Sequence, residues 1–123
     1  MLQEELVTYE VAKLAREKGF RERCIEHYYD DTKDLYRSST PQCYNFGGNT
    51  SDAPTQSLLQ RWLREEKGYY VYPFFDNEKL KWTYVVRERT GDMWIPLIGE
   101  TPYYDKYEDA MEGVLKFVLK NLV

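Results

Sequence analysis

Apolar positions recur at helical spacing in three places along the chain and alternate with polar ones in the gaps between them. Thr8, followed by Val11, Leu14 and Ala15 on one stripe, predicts a helix from about Tyr9 to Lys18 with Thr8 as its N-cap. Gly19 then supplies a left-handed residue, and Phe20 is placed to fold back onto Leu14 or Ala15. Pro54 suits the first turn of a second helix, because its missing N–H has no partner there anyway. Leu58, Leu59, Trp62 and Leu63 share one face of that helix, and Gly68 ends it. Asp105 and Glu108 make a D-x-x-E capping pattern at the head of a third helix. Ala110, Met111, Val114, Leu115, Phe117, Val118 and Leu122 form its wide apolar side.

The gaps read as strands. Cys24–Tyr29 and Leu35–Ser38 flank a polar turn, as do Tyr69–Phe75 and Leu80–Arg87; Met93–Leu97 follows the turn at Thr90-Gly91-Asp92. Pro96 places the last of these at a sheet edge or near a strand end. The order α-β-β-α-β-β-β-α, with short turns between adjacent strands, predicts a single α+β domain over residues 1–123. Its expected architecture is one antiparallel sheet of about five strands, with the three helices mainly on one face. Two α-β-β stretches echo each other, Arg16–Phe20 against Glu65–Tyr69 and Tyr28–Lys33 against Phe74–Lys79. A tandem repeat produces that pattern, and so does the ordinary chemistry of helix ends and turns. Ser38–Ala53 is the one long irregular stretch and the candidate functional loop.

Composition narrows the function. Of the 123 residues, 31% are charged and 42% hydrophobic, which excludes a largely disordered chain. The net charge of −4 argues against a dedicated duplex-DNA binder, which needs a basic face. The first ten residues lack the basic start and apolar run of a signal peptide, and no stretch is apolar for long enough to span a membrane. A cytoplasmic protein without membrane contact is therefore expected.

Candidate chemistry is sparse. His27 is the lone histidine, so any Ser-His-Asp or Cys-His arrangement has to use it. Cys24-x-x-His27 with Cys43 suggests a metal set, but on a strand Cys24 and Glu26 point away from His27. A Cys24–Cys43 disulfide is not expected in a reducing compartment. Gly47-Gly48-Asn49-Thr50-Ser51 lacks the G-K-[ST] of a phosphate loop and reads as a flexible connection into the second helix. No catalytic residue, metal or cofactor is assigned.

The aromatic strands carry the strongest signal. If the turn at Asn77-Glu78 pairs Phe75 with Leu80, then Val71 opposes Tyr84 and Tyr69 opposes Val86 on the core side. The other side carries Tyr70, Tyr72 and Phe74 beside Lys81, Thr83 and Val85, with Arg87 at the end and Trp94 extending the row. Rings interleaved with cations on an open sheet grip protein partners or single-stranded nucleic acid. Tyr70, Tyr72, Phe74, Lys81, Thr83, Arg87 and Trp94 are thus the candidate partner-binding residues.

The segment Ala53–Glu65, APTQSLLQRWLRE, resembles a family of small proteins found in phages and mobile elements of gut bacteria. Val11–Phe20 and Tyr107–Ala110 share the likeness. The resemblance implies a small regulatory or interaction protein and brings no catalytic residue with it. The reading is a non-enzymatic binding module for an unknown protein partner or for a second copy of itself. The alternatives are single-stranded nucleic-acid binding through the aromatic face, or a small enzyme with a site near His27 and the 38–53 loop.

Overall fold

A computed structural model describes residues 4–97 and 99–123. Helix α1 spans Tyr9–Glu17, α2 Gln56–Trp62 and α3 Tyr107–Asn121. The strands are β1 Cys24–Tyr29, β2 Leu35–Gln42, β3 Thr50–Ala53, β4 Tyr69–Asp76, β5 Lys81–Thr90 and β6 Met93–Pro96. The α+β class holds, but the sheet does not. In place of one sheet of about five strands there are two antiparallel sheets of three, ordered β2-β1-β3 and β4-β5-β6. The reason lies in Ser38–Ala53, which is far less irregular than expected. β2 runs on to Gln42, and the polar tetrad Thr50–Ala53 forms a strand that takes the second edge of β1. Each hairpin thereby finds its third strand within its own part of the chain. The chain forms two compact units, Met1–Ser57 and Leu58–Val123, whose boundary falls inside α2.

In the first unit Thr8 caps α1, its hydroxyl accepting from Val11 N–H at 3.4 Å. Phe20 N–H bonds Ala15 O at 2.9 Å and Gly19 N–H bonds Arg16 O at 3.2 Å, the paired closure that a left-handed glycine allows, and Phe20 is fully buried. α1 packs beside β3 on the face of the sheet that carries Tyr28. There Tyr28 Oη donates to Val7 O at 2.7 Å and the Tyr9 ring meets the Tyr28 ring edge-on. Asp30 accepts from Arg16 Nη1 and from Ser51 Oγ, each at 2.7 Å, tying the helix to β3 and the first hairpin.

In the second unit α3 packs on β4 and β5, burying Ala110, Met111, Val114, Leu115, Val118 and Leu119. Leu59, Trp62 and Leu63 are buried while Leu58 is half-buried. After Trp62 the helix widens into a π-type turn over Leu63–Lys67 and stops at Gly68, which takes a left-handed conformation with φ 76°. The capping pattern at α3 is not made as expected. Lys106 is the N-cap, without a side-chain capping bond among the described residues, and Asp105 binds Lys81 Nζ at 2.7 Å.

The β4–β5 register differs from the expected one by two residues: Phe75 pairs with Trp82, Val71 with Val86 and Tyr69 with Glu88. Asp76 causes this. Its carboxylate accepts from Glu78 N–H at 2.9 Å and Lys79 N–H at 3.2 Å, and Leu80 N–H closes on Asp76 O. Leu80 is thereby drawn into the turn with φ 55° and leaves the strand. An even shift leaves each side chain on its expected face. The echo between the two α-β-β stretches extends to a hairpin in each unit. It stops at the third strand, because β1 is central in one sheet and β5 in the other.

Candidate functional site

The register puts Tyr70, Tyr72 and Phe74 opposite Arg87, Val85 and Thr83, and Trp94 opposite Arg89, on the face opposite the one that carries buried Val71 and Val86. The Tyr70 ring lies 5.0 Å from that of Tyr72 and 6.1 Å from that of Trp94. Arg64, from the π-type turn, sits 5.7 Å above the Tyr70 ring. Arg87 Nε donates to Tyr72 Oη at 3.0 Å. Phe74 is half exposed at 51%, and Tyr70, Tyr72, Arg87 and Trp94 are half-buried. Two of the sequence-predicted residues have partners of their own. Thr83 is buried, its hydroxyl bonded to the Thr101 hydroxyl and donating to Pro102 O, and Lys81 is held by Asp105. The rings that cluster are therefore Tyr70, Tyr72 and Trp94, with Phe74 at the end of the row. Arg64 belongs to the cluster although sequence reasoning missed it, since a cation one turn before Gly68 looks like an ordinary solvated helix position.

A second constellation stands in the first unit, on the sheet face opposite Tyr28. His27 is fully buried and directly opposite Asp52 in the β1–β3 register. Its Nδ1 is 2.7 Å from Asp52 Oδ1 and its Nε2 is 2.9 Å from Ser38 Oγ. A carboxylate only accepts, so Nδ1 carries the proton of the first bond. Asp52 is also fully buried, and its Oδ2 accepts from Tyr44 N–H at 2.8 Å. Buried Asn45 accepts Asp52 N–H at 2.8 Å and donates to Phe20 O at 3.0 Å. These bonds clamp residues 43–45 down and bring the Tyr44 ring to 4.6 Å from His27, with the Tyr36 ring at 5.2 Å. Ser38 Oγ also lies 2.7 Å from Thr40 O and 3.2 Å from Ile25 O, so these carbonyls compete with Nε2 for its single proton.

A cleft of about 510 Å³ opens beside this group, lined by Tyr36, Cys43, Tyr44, Phe46, Gly47, Gly48, Asn49 and Thr50. Both cysteines are free thiols. Burial, with Asp52 and Cys43 adding to it, pushes the Cys24 thiol up to about 12, which keeps it protonated and unreactive at neutral pH. The sequence signals for this site were its lone histidine and its long polar stretch. Asp52 and Ser38 lie within that stretch, but nothing singled either out, since a strand reading Thr-Ser-Asp-Ala has no apolar period and Ser38 sits among polar residues of β2.

Comparison with protein families, curated proteins and solved structures finds no match to this chain. Among the described residues, no helix is long and apolar enough to cross a membrane.

Proposed function

We propose that the chain is a binding module whose ring-and-arginine face takes an acidic segment of a protein partner. One observation carries the reading. Arg87 is half-buried, stands opposite Tyr70 in the register and is held by the Tyr72 hydroxyl, and it has no carboxylate within ion-pair distance among the described residues. A guanidinium fixed by one N–H keeps its remaining donors in a planar fork that fits a carboxylate. Arg64 over Tyr70 adds a second cation next to the same rings. Tyr and Trp offer contact area at low entropy cost, and an interface anchored on aromatics and Arg concentrates its binding energy there.

The test is selection from a displayed peptide library against the whole protein, repeated with Arg87→Ala and with Tyr72→Ala combined with Phe74→Ala. Enrichment of Asp/Glu-rich peptides that both variants lose supports the reading. Enrichment that ignores acidic residues refutes it, as does tight binding of a single-stranded oligonucleotide or a concentration-dependent dimer that the same variants abolish.

A further inference from the structure

We propose that the first unit holds an acyl-transfer site. In it Ser38 is the nucleophile, His27 its general base, and Asp52 a positioning residue that fixes the imidazole. The geometry comes from three adjacent strands. His27 on β1 and Asp52 on β3 are register partners, and Ser38 lies on β2 two residues from Tyr36, the other partner of His27. Period-two alternation therefore puts all three side chains on one face. The two contacts, Ser38 Oγ to Nε2 at 2.9 Å and Nδ1 to Asp52 Oδ1 at 2.7 Å, are the nucleophile–base and base–orienter pair that activates a hydroxyl when its proton turns to Nε2 rather than to Thr40 O or Ile25 O. Clamping by Tyr44 N–H and by Asn45 leaves Asp52 little freedom, so the ring it holds is pre-set. Ser38 itself is half-exposed, which leaves Oγ open to a substrate while the base is dry.

The neighbouring cleft sets the substrate class. Tyr36 forms one wall and precedes Ser38 by two residues on the same strand face, roughly 7 Å along the strand. The other walls are Cys43, Tyr44, Phe46 and the stretch 47–50. Tyr36, Tyr44 and Phe46 give the cleft a ring-lined side and Asn49 and Thr50 a polar one, which fits the short acyl group of a small carboxylic ester. Ser38 Oγ attacks the carbonyl carbon as Nε2 takes the hydroxyl proton. The C–O bond to the alcohol breaks, and Nε2 returns that proton to the leaving oxygen. Water, deprotonated by Nε2, then attacks the acyl-Ser38 ester and releases the acid, restoring the hydroxyl.

The experiment treats the whole native protein with an alkyl fluorophosphonate and maps the adduct by peptide mass. A single adduct on Ser38 is expected. It should form in the folded chain and not in urea, vanish in Ser38→Ala, and slow on the order of 10⁴-fold in Asp52→Asn. p-Nitrophenyl butyrate should give a burst of nitrophenol equal to the protein present, and the Asp52 variant should lose it. Folded protein that stays unlabelled overturns the proposal, as does a Ser38 that labels equally fast in urea. If Asp52→Asn does not fold, the folded-against-urea comparison decides alone.

Discussion

Replacing Gly113 by Ala sets two physical effects of opposite sign against each other. In the interior of α3 the change should stabilise by about 1 kcal/mol, because Ala has the better helix propensity. A Cβ built at Gly113, however, runs into the Tyr104 side chain: it would sit 2.7 Å from Cζ and 3.4 Å from Cε1, and closer still to the hydroxyl. Tyr104 has little room to retreat. Its backbone is locked to Trp82 by N–H···O bonds of 2.7 and 2.8 Å, and its ring tilts against Tyr84 at 6.5 Å. Overpacking of this kind costs about 1–3 kcal/mol, so the net effect is a destabilisation of about 1 kcal/mol, or roughly 3–5 °C in Tm. Removing the obstacle should reverse the sign. In a Tyr104→Ala background, Gly113→Ala should raise stability by about 1 kcal/mol. Urea melts of the four chains, followed by far-ultraviolet circular dichroism, read both values. Stabilisation of the parent by as much as the Tyr104→Ala background would refute the packing argument.

Trp62→Ala should cost about 3–5 kcal/mol, because Trp62 is only 6% exposed; a variant that melts with the parent would move α2 off the core. Asp76 gives a pH signature. The backbone N–H groups of Lys79 and Glu78 hold its carboxyl below the ordinary 3.8, so the fold favours the ionised form. The stability this brings is complete above that value and is lost as pH falls below 3.8 through the lowered native value, and Asp76→Asn should flatten that limb of the urea-midpoint profile. With its thiol pushed up to about 12 by burial, Cys24 should resist a thiol reagent at pH 8 until the chain is unfolded. Peptide mapping of the modified protein, expected to show Cys43 alone, checks this.

Much of the local structure was legible in the sequence because caps and turns are chemical statements about a few residues. Thr8, Gly19 and Gly68 mark helix ends by what their side chains or their lack of one allow, and the structure uses them so. The faces of β4 and β5 were legible too, since alternation survives an even shift of register. What was hidden is what depends on burial. β3 is polar, and it is buried beside β1 with Asp52 satisfied by His27 and by Tyr44 N–H, pairs that no local pattern shows. The same blindness joined two sheets into one. The capping pattern at Asp105 was overridden by Lys81, a partner 24 residues away. On the ring face, the bonds from Thr83 to Thr101 and Pro102 were hidden as well, because they join residues 18 and 19 positions apart.

The central claim is that Arg87 and the rings around it form a surface for an acidic segment. The most direct measurement is a two-dimensional amide and indole NMR titration of the labelled protein with an acidic library-selected peptide. Shifts should map to Tyr70, Tyr72, Phe74, Arg87 and the Trp94 indole, weaken as salt is raised, and disappear in Arg87→Ala with the rest of the spectrum unchanged. Binding that leaves these signals still, or that survives Arg87→Ala with the same Kd, would contradict the account.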